Sequence, residues 1–255
     1  MLEICALASG SNGNCYYIGN QTEAILIDMG ISIKQLIHRF ADSGLDICKV
    51  RAIFLSHEHS DHSRGIRVLS KRLGISTFMT SRTYYALPKS YRPEYIGFFQ
   101  ANEVVEAGSF KIHSVLKNHD AAEPCSFRIE YRDKHVGVFT DIGHACANVV
   151  SSIRQCHALF LEANYDEKML WEGSYPWYLK KRVASDVGHL SNLQAFETIR
   201  QHAHPELECI FLSHISKENN TPQLAIAAFD PVSKKITVKL TDRYAAAEVY
   251  KLSGQ

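Results

Sequence analysis

Three histidines, an aspartate and a glutamate fall within six consecutive positions, His57-Glu58-His59-Ser60-Asp61-His62, directly after the apolar stretch Arg51-Ala52-Ile53-Phe54-Leu55-Ser56. The stretch reads as a buried strand and the run as the loop that leaves it. Imidazole nitrogen suits zinc, iron, nickel and copper; carboxylate oxygen suits harder ions, and a bridging carboxylate lets two ions share a site. In an extended loop, residues two apart project to the same side, so His57 and His59 converge on one ion. Asp61 and His62, on the turn that follows, address a second. A lone histidine would read as a polar loop residue; a cluster of this density at a strand end points to metal.

The 255 residues suffice for one large domain or two small ones, and 45% hydrophobic with 22% charged residues is the balance of a globular chain. No apolar run reaches membrane-spanning length, and the N-terminus lacks a basic region followed by an apolar signal core, so a cytoplasmic protein is expected. Cys5, Cys15, Cys48, Cys125, Cys146, Cys156 and Cys209 contain no CxxC pair and are odd in number, which argues for reduced thiols. Cys125, six residues after His119, reads as a small core residue rather than a ligand. A net charge of +1 supplies no long-range field for a polyanion, so any such substrate must be recognised by local groups.

Short apolar strands alternate with amphipathic helices along the whole chain, without a linker or a repeat. Strands are expected over 2–8, 15–19, 24–28, 51–56, 75–79, 110–116, 126–131, 135–140, 157–162, 208–213 and 235–241. Ser32 with Gln35 opens a helix at a capping box, and further helices are expected over 63–73, 145–155, 191–203 and 222–229. Asp28, ending the third strand, is placed to support the metal loop by a hydrogen bond. The pattern fits α/β or α+β.

The run fits the His-x-His-x-Asp-His signature of the metallo-β-lactamase superfamily at every defined position. Further blocks resemble its YycJ/WalJ-like branch of exonuclease-type hydrolases. They are Leu7-Ala8-Ser9-Gly10-Ser11-Asn12-Gly13-Asn14, Asn118-His119-Asp120-Ala121, Phe139-Thr140-Asp141, Leu161-Glu162-Ala163-Asn164, Gly188-His189-Leu190-Ser191-Asn192 and Leu212-Ser213-His214-Ile215-Ser216 with Asn219-Asn220-Thr221-Pro222. The resemblance implies an α+β fold, a four-layer αββα sandwich over residues 1–255, with the site in loops at one edge. It also implies two divalent ions, zinc or manganese. His57, His59 and His119 would take the first, Asp61, His62 and His214 the second, and Asp141 would bridge them.

Two such ions would hold a bridging hydroxide near neutral pH for attack on a phosphodiester, with Asp61 orienting it. Ser191 with Gln194 forms a second capping box, so Gly188-His189 sits at a helix N-terminus, where phosphate is favoured. A Gly-His element in the same chain order occurs in ribonuclease Z and the β-CASP nucleases, where its histidine contacts phosphate. His189 is therefore expected to bind the scissile phosphate or to protonate the leaving oxygen. Ser11 and Asn14, in the glycine-rich loop, are expected to offer polar groups to substrate. The run Lys180-Lys181-Arg182 after Tyr175-Pro176-Trp177-Tyr178 would suit a single strand, although a solvated face is the ordinary reading. His144 lies close enough to Asp141 in sequence to support the site.

The residues fit a two-metal phosphodiesterase, and the resemblance implies a 5′-to-3′ exonuclease on DNA more than RNA; no membrane partner is expected, and the sequence leaves the oligomeric state open. Two alternatives remain. One is a small-molecule metallo-hydrolase acting on a cyclic nucleotide, a lactone or a thioester; the other is a regulatory protein that keeps a metal without catalysis.

Overall fold

The computed structural model describes residues 1–252; residues 253–255 of the expected 1–255 unit lie outside the described residues. In chain order the first half comprises β1 (Leu2–Ala8), β2 (Cys15–Gly19), β3 (Ala24–Ile27), α1 (Ile33–Asp42), β4 (Val50–Phe54), α2 (Ser60–Ser63), α3 (Ile66–Leu73), β5 (Ser76–Met79), α4 (Ser81–Ala86) and β6 (Ile96–Phe98). It continues with β7 (Val104–Ala107), β8 (Phe110–Leu116), β9 (Cys125–Tyr131), β10 (Lys134–Phe139), α5 (Ala147–Ile153) and β11 (Ala158–Glu162). The remainder is α6 (Glu167–Glu172), α7 (Trp177–Val183), α8 (Asn192–His202), β12 (Cys209–Ser213), α9 (Pro222–Ala228), β13 (Thr237–Leu240) and β14 (Tyr250–Leu252).

The strands form two seven-stranded sheets, in the orders β14-β1-β2-β3-β4-β5-β6 and β13-β12-β11-β10-β9-β8-β7. Successive strand side chains point to opposite faces, and here both faces are apolar, which is the mark of a strand covered on both sides. Along β1, Ile4 and Ala6 enter the core between the sheets while Cys5 and Leu7 face outward. Along β11, Ala158 and Phe160 point inward and Leu159 and Leu161 outward. Tyr16 of one sheet packs on Phe160 of the other with ring centroids 5.0 Å apart. The outer face of the first sheet is covered by Leu36 and Phe40 of α1 and by Ile66 and Leu69 of α3. The second is covered by Val149 and Ile153 of α5, Ala195 and Ile199 of α8, and Ala225 of α9. The result is the four-layer α+β sandwich.

Each sheet is antiparallel on one side and parallel on the other. β1, β2 and β3 pair antiparallel, and β3 to β6 pair parallel. In the second sheet β7 to β10 are antiparallel and β10 to β13 parallel. The carboxyl ends of β4, β10, β11 and β12 deliver the His57 run, Asp141, Glu162 and His214 respectively, so four distant chain segments meet at one edge.

Both expected capping boxes are formed, at Ser32 with Gln35 and at Ser191 with Gln194. The helix expected over 63–73 is broken, because Gly65 packs against the preceding loop: its N–H donates to the Met29 carbonyl at 2.9 Å, and a Cβ there would lie 2.3 Å from the Ile31 carbonyl oxygen. Seven elements were not expected from the sequence: α2, α4, β6, β7, α6, α7 and β14. Each is short, and β6 and β7 carry half-exposed side chains at sheet edges, which weakens any periodic signal. Cys125 packs in the core between the sheets, where burial pushes its thiol up to about 12. None of the seven cysteines is paired.

Candidate active site and metal centre

The loop after β4 brings His57, His59, Asp61 and His62 together over a single helical turn. His57 Nε2 and His59 Nδ1 approach to 3.1 Å, and the rings of His59 and His119 to 5.2 Å. On the other side, His62 Nε2 lies 3.6 Å from Asp61 Oδ2 and 3.1 Å from Asp141 Oδ2. His214 Nε2 lies 3.8 Å from Asp61 Oδ2 and 3.5 Å from Asp141 Oδ1. His57, His59 and His119 form one group that could hold a metal ion, and Asp61, His62 and His214 form another; the ligand atoms in each lie within 4.8 Å of one another. Asp141 stands between the groups, since it also approaches His119 Nε2 at 4.0 Å.

In His62, His57 and His119 the other ring nitrogen is tied to an acceptor, which selects the neutral tautomer. His62 Nδ1 donates to Asp28 Oδ2 at 2.7 Å. His57 Nδ1 donates to Ser56 Oγ at 2.9 Å, and that hydroxyl donates to the same Asp28 oxygen. His119 Nδ1 donates to the Gly188 carbonyl at 3.2 Å. Each bond leaves the Nε2 lone pair of its imidazole turned toward the centre, the arrangement a metal requires.

Two atoms test the fit directly. Among the described residues, Asp141 Oδ2 and His214 Nε2 are buried without a hydrogen-bond donor or acceptor of their own; His62 Nε2, 3.1 Å from Asp141 Oδ2, offers only a lone pair in the neutral tautomer that Asp28 selects. A buried polar atom without a partner costs roughly 1–3 kcal/mol, and both point into the space between the histidine groups. A cation there would satisfy them, and the donor set of imidazole and carboxylate matches zinc or manganese.

The electrostatics are correspondingly tense. Burial presses His57 well below the ordinary imidazole range, helped by His62 and by the buried Lys117 ammonium. Burial also takes His119 down to about 4. His62 and His214 go the other way: burial opposes their charge, but Asp141, Asp28 and Asp61 outweigh it for His62, and Asp141, Asp61 and Glu162 for His214, which rises to about 10. Asp141 is held well below the carboxylate range, against burial, by His214 and His62. Bound cations would replace these mutual charges.

Glu162 is the residue that sequence reasoning passed over. It is fully buried at the end of an otherwise apolar β11. Its Oε1 accepts from His189 Nδ1 at 2.8 Å and from His214 Nδ1 at 3.2 Å. Its Oε2 accepts from the backbone N–H of Ile142 at 2.8 Å and of Leu190 at 3.2 Å. These donors, His189 first, hold its carboxyl at about 2 against burial. The available signal was a carboxylate inside an apolar strand, which needs buried partners. Lys117 was missed too; its Nζ donates to the Thr140 carbonyl at 2.7 Å and braces the chain just before Asp141.

The backbone is strained where it presents these groups. Asp28, Asp141 and His214 have φ of 62°, 53° and 55°, the left-handed region that side chains other than glycine rarely enter. Such conformations cost on the order of 1–3 kcal/mol each and gather at functional sites.

A cleft of about 270 Å³ opens over the centre, lined by Ser11, His59, Asp61, His119, Asp141, Asn164, His189 and His214 and, from α7 and the loop before it, Tyr175, Leu179 and Arg182. His189 therefore reaches the cleft with its Nδ1 fixed, and Ser11 lies exposed at the rim. Asn14, expected at the substrate, is instead enclosed. The Gly10–Gly13 turn folds it inward, where its amide bonds Gly10 and lies 3.0 Å from His62 Nε2 and 3.4 Å from Asp61 Oδ2. It forms the floor of the site. His144 faces a separate depression between α5 and α8, with Nδ1 donating to the Asp186 carbonyl. Asn164 donates to the His214 carbonyl at 2.7 Å, and Asp166 caps α6.

The family model of the metallo-beta-lactamase superfamily matches residues 8–214. The chain belongs to that superfamily. It is a metal-dependent hydrolase of the superfamily's sandwich fold. It is 32% identical over 227 residues to a Bacillus anthracis protein named Exodeoxyribonuclease YycJ, covering 88% of this chain and 86% of that protein. It is 33% identical to a Streptococcus pneumoniae protein named Exodeoxyribonuclease WalJ, covering 86% and 83%. The metallo-beta-lactamase fold protein YhfI from Bacillus subtilis superposes with a TM-score of 0.72 at 15% identity, over 97% of this chain and all of the other, which is a likeness of fold. Among the described residues, no helix is long and apolar enough to cross a membrane.

Proposed function

We propose that the chain is a two-metal phosphodiesterase that removes nucleotides from the 5′ end of DNA in the cytoplasm. His57, His59 and His119 would hold one ion and Asp61, His62 and His214 the other, with Asp141 between them; zinc and manganese both suit the donors. When bound, the ions supply a hydroxide nucleophile near neutral pH and neutralise charge on the phosphate. The protein's own groups do the rest. His189 donates Nδ1–H to Glu162 and turns Nε2 to the cleft, and when the ring carries both protons its Nε2–H would grip a non-bridging phosphate oxygen or pass to the leaving oxygen. Ser11 adds a hydroxyl at the rim, Asp61 orients the nucleophile, and Asn14 holds Asp61 and His62 from beneath.

The observation that carries this reading is the position of His189. Its ring lies 5.5 Å from that of His119 and 5.2 Å from that of His214, beside both ligand groups, on a carboxylate that accepts from Nδ1. When the ring is doubly protonated, the Nε2–H of that cation matches an anionic phosphate oxygen better than a lactone. The names of the Bacillus anthracis and Streptococcus pneumoniae relatives support DNA as the polymer.

The test uses manganese-loaded protein with end-labelled single- and double-stranded DNA. Hydrolysis from the 5′ end is expected, abolished by His59→Ala and retained by His204→Ala. Cleavage of no polynucleotide contradicts the reading; hydrolysis of a lactone or thioester alone replaces it with small-molecule chemistry.

A further inference from the structure

Helix α7 presents two faces. Leu179 and Arg182, with Tyr175 just before the helix, line the cleft, and Arg182 Nε donates at 2.7 Å to Asp120, the neighbour of His119. The other face carries two large rings that bury little, and a third stands beside them on α6. Trp177 is 63% exposed and Tyr178 is 74% exposed, and Trp171 of α6 packs on Trp177 with centroids 5.4 Å apart. Lys181 places its ammonium 5.2 Å from the centre of the Trp177 ring. Lys180, by contrast, is buried and donates to the Trp171 carbonyl at 2.7 Å, tying α7 to α6 and fixing the spacing of the rings. Aromatic residues left in water on a short helix, interleaved with cations and continuous with the wall of a catalytic cleft, do nothing for the packing of the fold.

We infer that the outer face of α7, made by Trp177, Tyr178 and Lys181 with Trp171 of α6, is the platform on which a single-stranded polynucleotide lies while its end enters the cleft. Every base has a π-face, so stacking on such rings tolerates any sequence, and it needs bases freed from a partner strand. Lys181 supplies charge to the phosphates on the platform, and Arg182, held by Asp120, stands between the platform and the cleft, a local recognition that a chain of net charge +1 requires. The inference rests on the phosphodiesterase reading for the identity of the occupant.

The chain contains only two tryptophans, Trp171 and Trp177, and both lie on the platform, so tryptophan emission reports on this surface alone. The metal-loaded protein is titrated with a phosphorothioate oligothymidylate of about ten nucleotides, which resists cleavage and spans the usual footprint. Emission is expected to be quenched to saturation. Tyr178→Ala should raise Kd about tenfold, and Lys181→Ala should weaken binding and lower its salt dependence. Hydrolysis of a small phosphodiester, bis(p-nitrophenyl) phosphate, is measured on the unsubstituted protein in parallel. Reporter hydrolysis with unquenched emission, or with Kd unmoved by Tyr178→Ala, overturns the platform and leaves the phosphodiesterase reading standing. Equal quenching by a duplex of the same length overturns the single-strand assignment. Quenching without any phosphodiester hydrolysis keeps the platform and removes the phosphodiesterase reading.

Discussion

A single oxygen of Glu162 holds both His189, at 2.8 Å, and His214, at 3.2 Å, through their Nδ1 atoms. The proposed phosphate-binding imidazole and a proposed metal ligand are thus oriented by one carboxylate. Replacing it with an amide reverses the polarity of the contact: a glutamine N–H donating to Nδ1 moves the imidazole proton to Nε2 and removes the lone pair that would meet the ion. Glu162→Gln should therefore lower metal affinity or turnover by roughly 10–100-fold. His189→Ala should lower turnover and leave metal content intact. Metal analysis beside kinetics separates the two, and a Glu162→Gln protein with parental affinity and rate contradicts the assignment.

The loop of the His57 run is seated on backbone contacts as well as on the side chains of Asn14, Asp28 and Ser56. Asn14 N–H donates to the Asp61 carbonyl at 2.7 Å and Gly30 N–H to the Asn14 carbonyl at 2.8 Å, and a Cβ on Gly30 would lie 1.5 Å from the Asp61 carbonyl oxygen. Gly30→Ala cannot be accommodated without moving the loop and should cost roughly 3–5 kcal/mol in urea unfolding, or prevent folding. Gly44→Ala is the contrast. It sits at φ 65° with nothing within 4 Å of the added methyl, so only the left-handed backbone is penalised, by about 1 kcal/mol.

Much of this site was legible in the sequence, for reasons that differ by residue. His57 to His62 form one local run, and His119, Asp141 and His214 each follow an apolar strand whose end is easy to place. What sequence could not give was direction. Asn14 shares its loop with Ser11, yet the turn at Gly10 and Gly13 sends Asn14 inward and leaves Ser11 at the rim. Glu162 lies in a recognised block, but its four hydrogen bonds come from residues 20 to 52 positions away, a convergence set by sheet order. Helix α7 escaped notice because Trp177 and Tyr178 face solvent, so its apolar residues do not mark a buried stripe.

Away from the site, His135 should shape the acid limb of stability. Burial first, and then the Arg128 guanidinium beside it, lower its ring from 6.5 to about 4, so the fold keeps it neutral. Protonation favours the unfolded chain, where the ordinary value holds. The stabilisation is complete above about pH 6.5 and is lost as pH falls from there toward 4. Because the ring is partly exposed, the loss amounts to about 1–2 kcal/mol after screening. In urea unfolding at pH 7.5 and 4.5, His135→Gln should lose less stability on acidification than the parent chain; an identical loss contradicts the assignment.

Two ligand groups meeting at Asp141 are proposed to act together on a phosphodiester. This is tested most directly by stripping the protein with a chelator, returning manganese in measured equivalents and following release of nucleotides from 5′-labelled DNA. Hydrolysis should rise with the second equivalent and be absent at every loading in Asp141→Ala. Hydrolysis complete at one equivalent, or none at any loading of the parent chain, contradicts the proposal.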